Sequence, residues 1–221
     1  AGEVGLGALP PKLRALSSVQ IDKIIKKHNV PAKPDAPSSP ILPALTAEQE
    51  SVLATLYAAD AQRPFLLFGT TGSGKTEIYL RCVQTLLDAN EKSQALVMVP
   101  EINLTPQLEA RFQARFAEVG VVSLHSAMTP AQRLKAWLAA HSGAARIVLG
   151  TRMAIFASMP HLGLIVVDEE HDPSYKSQEG ARYSARDLAV YRAKQEGVKV
   201  ILGSATPSLE SWHHSRPAEE G

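Results

Sequence analysis

Hydrophobic residues along this chain come in two recurring arrangements, and they alternate. Short, nearly continuous apolar runs occur at residues 65–68, 95–99, 121–124, 146–149, 164–167 and 198–202. Between them lie stretches whose apolar positions recur every three to four residues, at 46–59, 75–89, 105–118, 130–140 and 185–195. Runs of the first kind are strands buried on both faces, and stretches of the second kind are amphipathic helices. Their alternation predicts an α/β fold: a parallel sheet with helices on both faces. Ligands in such sheets bind beyond the carboxyl ends of the strands. No internal repeat is visible.

The N-terminal part is different. Residues 1–30 contain one plausible helix, 19–28, with Ile21, Ile24 and Ile25 on one stripe and lysines opposite. This segment is too short for a core of its own and is expected to be an appendage or the remnant of another domain. Residues 31–44 follow as a linker, with proline at every third position (Pro31, Pro34, Pro37, Pro40, Pro43). That spacing matches the three-residue turn of polyproline II and predicts a semi-rigid spacer. A ligand for a proline-recognising domain is the alternative. The main domain is expected at 45–212, with a tail at 213–221.

Bulk properties narrow the function classes. The 221 residues are 45% hydrophobic, enough for a full-sized core, and 23 Lys and Arg against 22 Asp and Glu give no global attraction to nucleic acid or membrane. Any such binding must come from local charge. Single Cys82 forms no internal disulfide and no cysteine zinc site by itself, which fits a reducing cytoplasm; it reads as a small buried side chain. No apolar run approaches the roughly 20 residues of a membrane span, and no secretory signal opens the chain. A chain that begins Ala1-Gly2 and stops soon after Pro207 is also compatible with a piece of something longer.

Chemistry concentrates at the strand ends. After the first run comes Gly69-Thr70-Thr71-Gly72-Ser73-Gly74-Lys75-Thr76, a G-x-x-x-x-G-K-[ST] loop between a strand and a helix. The glycines let backbone N–H groups curl around phosphate, Lys75 is placed for the β- and γ-phosphates, and Thr76 for Mg²⁺. Such a loop needs a carboxylate at another strand end. Residues 164–167 lead into Asp168-Glu169-Glu170-His171, giving Asp168 for the metal and Glu169 as general base toward the attacking water. A GTPase would carry N-K-x-D after a late strand; Gly203-Ser204-Ala205-Thr206-Pro207 stands there instead.

Asp168-Glu169-Glu170-His171 resembles motif II of superfamily 2 helicases, and residues 203–207 resemble motif III. Residues 99–107 are similar to motif Ia, and Gly150-Thr151-Arg152 to motif Ib. The segments 168–191 and 97–101 closely resemble the PriA family (primosomal protein N′) of bacterial replication-restart helicases, and the likeness spans about 45–210. This resemblance implies a RecA-like lobe that binds ATP or ADP with Mg²⁺, catalysis through Lys75, Asp168, Glu169 and His171, and DNA-dependent ATP hydrolysis with 3′-to-5′ unwinding. It further implies forked and single-stranded DNA, primosome proteins and single-stranded DNA-binding protein as partners, a monomer, and a place in the cytoplasm at the nucleoid, with no membrane partner. In the family a second lobe supplies an arginine finger and structural zinc; nothing after motif III here resembles that lobe, and no zinc site is expected in this chain. The chain alone is therefore expected to bind nucleotide and turn it over poorly.

Several residues carry two readings each. Gln49 matches the family's adenine-reading glutamine, but with Thr46 it also makes a helix capping box. Thr105 matches a DNA contact and equally starts a helix before Pro106. Arg152 is a backbone contact of motif Ib or a surface salt-bridge residue. Tyr175 and Tyr183, with Lys176, Arg182 and Arg186, match an aromatic-rich loop whose rings stack on bases and whose cations meet phosphates; packing on the domain is the alternative. Ser204 and Thr206 transmit nucleotide state or simply form a turn, and His171 couples the two motifs or closes a strand end. The competing functions are a non-motor phosphate-loop NTPase and an interaction module with an idle nucleotide site.

Overall fold

A computed structural model describes residues 9–28, 42–59, 63–178 and 182–216. The expected linker lies outside the described residues except at 42–44, as do residues 1–8 and 29–30 of the appendage and 217–221 of the tail. Six strands form one sheet: β1 (Phe65–Phe68), β2 (Gln94–Met98), β3 (Val121–Leu124), β4 (Ile147–Gly150), β5 (Leu162–Val167) and, last in the chain, Lys199–Ser204. All pairings are parallel. The spatial order is β1, the last strand, β5, β2, β4, β3, so the first strand and the last lie side by side.

Alternation along the strands explains why both faces are covered. In β2, Leu96 and Met98 pack with one apolar cluster while Ala95 and Val97 pack with another, as successive side chains must. The first cluster is closed by helices Pro130–Ser142 and Ala185–Glu196 through Ala136, Ala140, Ala185, Ala189 and Ala193. The second is closed by helices Ala47–Ala58, Lys75–Ala89 and Pro106–Arg115 through Leu53, Leu56, Val83, Leu87 and Phe112. Small alanines on one side let those helices approach closely, and larger residues fill the other side. Helices are numbered in chain order as α1 (Ser18–His28), α2 (Ala47–Ala58), α3 (Lys75–Ala89), α4 (Pro106–Arg115), α5 (Pro130–Ser142), α6 (Ala185–Glu196) and α7 (Leu209–Ser215). Helix α1 packs against α5.

Helix ends follow local chemistry. Thr46, Thr105, Thr129, Ser184 and Ser208 cap α2, α4, α5, α6 and α7 with side-chain oxygens, each accepting one otherwise unpaired N–H. The observed elements differ from expectation at several points. Strand 198–202 runs on through Gly203 and Ser204, because these still pair with Leu67 and Phe68. Helix 105–118 stops at Arg115, where Phe116 leaves helical geometry and is buried. A two-residue hairpin, β6 (Lys176–Ser177) against β7 (Tyr183–Ser184), and α7 were not foreseen; the long strand Lys199–Ser204 is thus β8. Helix α7 also crosses the expected 212/213 boundary. Among the described residues no helix is long and apolar enough to cross a membrane.

Candidate functional site

The phosphate-type loop leaves β1 at Gly69, whose N–H donates to the Ser204 carbonyl at 3.1 Å, fastening the loop to the end of β8. Gly72 and Gly74 sit at φ +83° and +87°, backbone conformations that only glycine adopts without strain. A Cβ at Gly74 would also overlap the Gln49 amide nitrogen. Lys75 opens α3 almost fully buried, and its ammonium donates to the carbonyls of Gly69 (2.8 Å) and Thr70 (3.4 Å). Its charge is thus held inside the loop, where the N-terminus of α3 adds positive potential. Thr70, Thr71 and Ser73 are exposed at the mouth.

Two sheet positions away, β5 delivers the acidic residues. The Asp168 N–H donates to Met98 O at 2.8 Å, and its carboxylate accepts from the Tyr79 hydroxyl at 2.9 Å. Burial pushes the Asp168 carboxyl above its ordinary range, and the Tyr79 hydrogen bond partly opposes that. Glu169 has φ +47°, a left-handed conformation unusual for a side-chain-bearing residue. That twist brings one Glu169 oxygen 3.7 Å from Lys75 Nζ and the other 3.7 Å from His171 Nδ1. His171 then shares hydrogen bonds with Ser204 Oγ (2.7 Å) and Thr206 Oγ1 (3.2 Å), while the Thr206 N–H donates to Ser204 Oγ at 3.0 Å. One polar chain therefore runs from Lys75 through Glu169 and His171 to the end of β8.

Thr71, Gly72, Gly74, Lys75, Thr76, Glu77, Asn103, Arg111, Asp168 and Glu169 line one cavity of about 360 Å³. It holds a hydroxyl and a carboxylate of the hard-oxygen type Mg²⁺ takes, with room for phosphate and water, so the residues fit that ion. Among the described residues no cluster of three or more His, Cys, Asp or Glu side chains is placed for a metal. A second cavity, about 580 Å³, lies between β1 and α7 and contains no phosphate-type loop.

The remaining expected residues sort by exposure. The Gln49 side-chain oxygen accepts from Thr46 N at 3.0 Å in a complete capping box, which leaves its amide nitrogen against Gly74. Thr105 caps α4, its oxygen accepting from Leu108 N at 3.3 Å. Arg152 donates to the Lys176 carbonyl at 3.4 Å and so ties the Gly150 strand end to the hairpin, where Lys176 and Arg182 are exposed. Tyr183 is half-buried, edge-on to Phe156 at 5.1 Å.

Tyr175 needs correcting. It is 1% exposed, its hydroxyl donates to the Asp168 carbonyl at 2.7 Å, and no ring face is left for a base. It braces the carboxylate segment from within. Arg186 is corrected likewise: it bonds Glu170 at 3.0 Å and Ser208 at 2.8 Å instead of facing phosphate. Glu170, given no role of its own by the sequence, is buried among Arg186, Ser208 and Ser211. Tyr79 and Glu77 were missed, since both fall on a helix with no motif beyond Thr76. Buried Glu77 meets Arg81 (3.0 Å), Arg111 (3.4 Å) and Arg115 (3.5 Å), and with Arg111 it lines the cavity.

The sequence profile of the DEAD/DEAH box helicases matches residues 46–214, the whole sheet and every residue of this cavity. The chain belongs to the DEAD/DEAH box helicase family. Within that family it is similar to the replication restart protein PriA of Haemophilus influenzae, 48% identical over 167 residues that cover 76% of this chain and 22% of that protein. PriA of Bacillus subtilis is 43% identical, with 76% of this chain and 21% of that one covered. The chain thus spans about a fifth of the length of these relatives. Among solved structures, RecG bound to a three-way DNA junction superposes with a TM-score of 0.57 at 25% identity, over 88% of this chain and 26% of that one. The DEAD-box helicase Mss116 bound to single-stranded RNA and UDP-BeF gives 0.57 at 18% identity, over 78% and 38%. The helicase lobe is therefore a RecA-like domain, the parallel sheet flanked by helices that the apolar pattern predicted.

Proposed function

We propose that this helicase lobe binds ATP with Mg²⁺ and forms the nucleotide-handling half of a DNA motor that restarts replication. The observation that carries the reading is the polar chain from Lys75 through Glu169 and His171 to Ser204 and Thr206. It joins the phosphate loop to the end of a different strand, as a motor that converts phosphate state into movement requires. An idle nucleotide module has no need of that link.

In this reading the Gly69–Thr76 backbone cradles the phosphates and Lys75 turns from its own carbonyls to the β- and γ-phosphates. The Gln49 amide nitrogen faces the adenine. Glu169 takes the proton of the attacking water, its strained backbone aiming the carboxylate into the cavity. Thr76 and Asp168 would hold Mg²⁺, which would supply charge neutralisation to the phosphates. His171, Ser204 and Thr206 feel the loss of the γ-phosphate through Glu169. Thr105, Arg152, Lys176, Arg182 and Tyr183 face the DNA, and Tyr175 transmits the position of the hairpin to Asp168. The PriA relatives are replication restart proteins, and the proposal extends to forked and single-stranded DNA as substrate, 3′-to-5′ movement, primosome proteins and single-stranded DNA-binding protein as partners, and a monomer working at the nucleoid in the cytoplasm. An arginine supplied from a second lobe is worth roughly 10³ to 10⁵ in rate, so the 221-residue chain by itself hydrolyses slowly.

Coupling between two sites is reciprocal. Single-stranded DNA affinity is therefore measured on the 221-residue chain with no nucleotide, with ADP and with a non-hydrolysable ATP analogue. The motor reading expects these affinities to differ, with the difference lost in His171→Ala. DNA binding that is the same in all three states favours the idle module.

A further inference from the structure

Tyr79 lies one helical turn beyond Lys75, on the face of α3 that turns toward β5 and β8, and it is 2% exposed. Most tyrosines so deeply placed serve as apolar filling with a hydroxyl tied to a backbone carbonyl. This hydroxyl instead donates to Asp168 Oδ1 at 2.9 Å, across 89 residues of sequence. The fold makes room for it. A Cβ at position 203 would overlap the Tyr79 oxygen, so the glycine that opens motif III is also what admits the tyrosine. A phenol keeps its proton at neutral pH, so the hydroxyl donates and the carboxylate accepts.

We propose that Tyr79 is a positioning residue of the metal site, fixing the rotamer of Asp168 so that one carboxylate oxygen is committed to the phenol and the other is left for the shell of the nucleotide's Mg²⁺. This rests on the reading of Asp168 as the metal-directed carboxylate. A carboxylate on a strand end has about three staggered χ1 wells. If only one of them is productive, the apparent affinity for the metal falls by the fraction of time spent in it. Tyr79 removes that loss by holding a single well.

The experiment titrates the 221-residue chain with fluorescent ADP at a series of Mg²⁺ concentrations and again in EDTA, for wild type, Tyr79→Phe and Asp168→Asn. Tyr79→Phe keeps the ring that fills the core and removes only the hydroxyl. Its Mg²⁺ half-saturation is expected to rise about three- to tenfold, while ADP affinity in EDTA is unchanged. An unchanged Mg²⁺ half-saturation overturns the proposal. So does an equal loss with and without Mg²⁺, which would mark a general structural defect. Asp168→Asn separates this from the underlying reading: if it too leaves the Mg²⁺ dependence intact, Asp168 is not metal-directed. If it abolishes the dependence and Tyr79→Phe does nothing, only the positioning role falls.

Discussion

Glu170→Ala removes the anchor of a buried network and is the most quantifiable perturbation this fold offers. The carboxylate is fully buried and accepts from Arg186 Nη1 (3.0 Å), Ser208 N (2.7 Å) and Ser211 Oγ (2.9 Å). Alanine leaves a backbone N–H and a guanidinium without their acceptor. Breaking a buried pair from one side costs about 3–5 kcal/mol. Arg186 is 15% exposed and keeps Asp187 at 2.8 Å and Ser208 Oγ at 2.8 Å, so the lower end, about 3 kcal/mol, applies. At roughly 2–4 °C per kcal/mol for a domain of this size, Tm falls by about 6–12 °C. Glu170→Gln keeps an oxygen for Ser208 N but trades the oxygen facing Arg186 and Ser211 for an NH₂ that cannot accept, so its drop is smaller than alanine's but not zero. Thermal melting followed by circular dichroism decides. Alanine melting within about 2 °C of wild type, or glutamine as damaging as alanine, refutes the reasoning. Glu170 does not line the phosphate cavity, so ADP affinity measured well below the transition stays near wild type in both.

Glu77→Ala strands Arg81, Arg111 and Arg115, of which Arg115 is 7% exposed and already held below its ordinary range by burial. A loss of about 3 kcal/mol, read as a shift of the urea midpoint, is expected, and Glu77→Gln recovers part of it. Asp168→Asn acts in the opposite direction. Burial raises the folded-state pKa of Asp168 above its unfolded value, so the ionised carboxylate costs stability above the folded pKa and that cost fades as pH falls through it. Nucleotide-free Asp168→Asn therefore melts higher than wild type at pH 7. The gap narrows on acidification toward the ordinary carboxylate range; a gap that widens contradicts the sign.

The strands were legible because short, mostly apolar runs of four or five residues stand between helical periods, and the phosphate loop because its glycines and lysine have few other uses. The acidic run shows where reading along the chain stops. Asp168, Glu169 and Glu170 are three adjacent carboxyls in the sequence, and only the left-handed turn at Glu169 sends two toward Lys75 and the third toward Arg186. Tyr79 reads as part of the apolar stripe of α3, and its partnership with Asp168 exists only once β5 and β8 lie beneath that helix. The β6–β7 hairpin has two residues per strand, too few for any alternation to register. Helix α7 is seven residues held by its Ser208 cap, the Glu170 network and the edge-on contact of Trp212 with Phe68. Tyr175 carried the aromatic signal of a base-stacking loop, and burial beneath the hairpin turned it into a brace.

Titration of the 221-residue chain with fluorescent ADP in the presence of Mg²⁺, alongside Lys75→Ala, tests the central claim most directly. Saturable binding in the micromolar range by wild type, weakened at least tenfold in Lys75→Ala by loss of a charge-assisted phosphate contact worth about 1.5–3 kcal/mol, is the predicted result. No saturation, or identical curves for the two proteins, contradicts it.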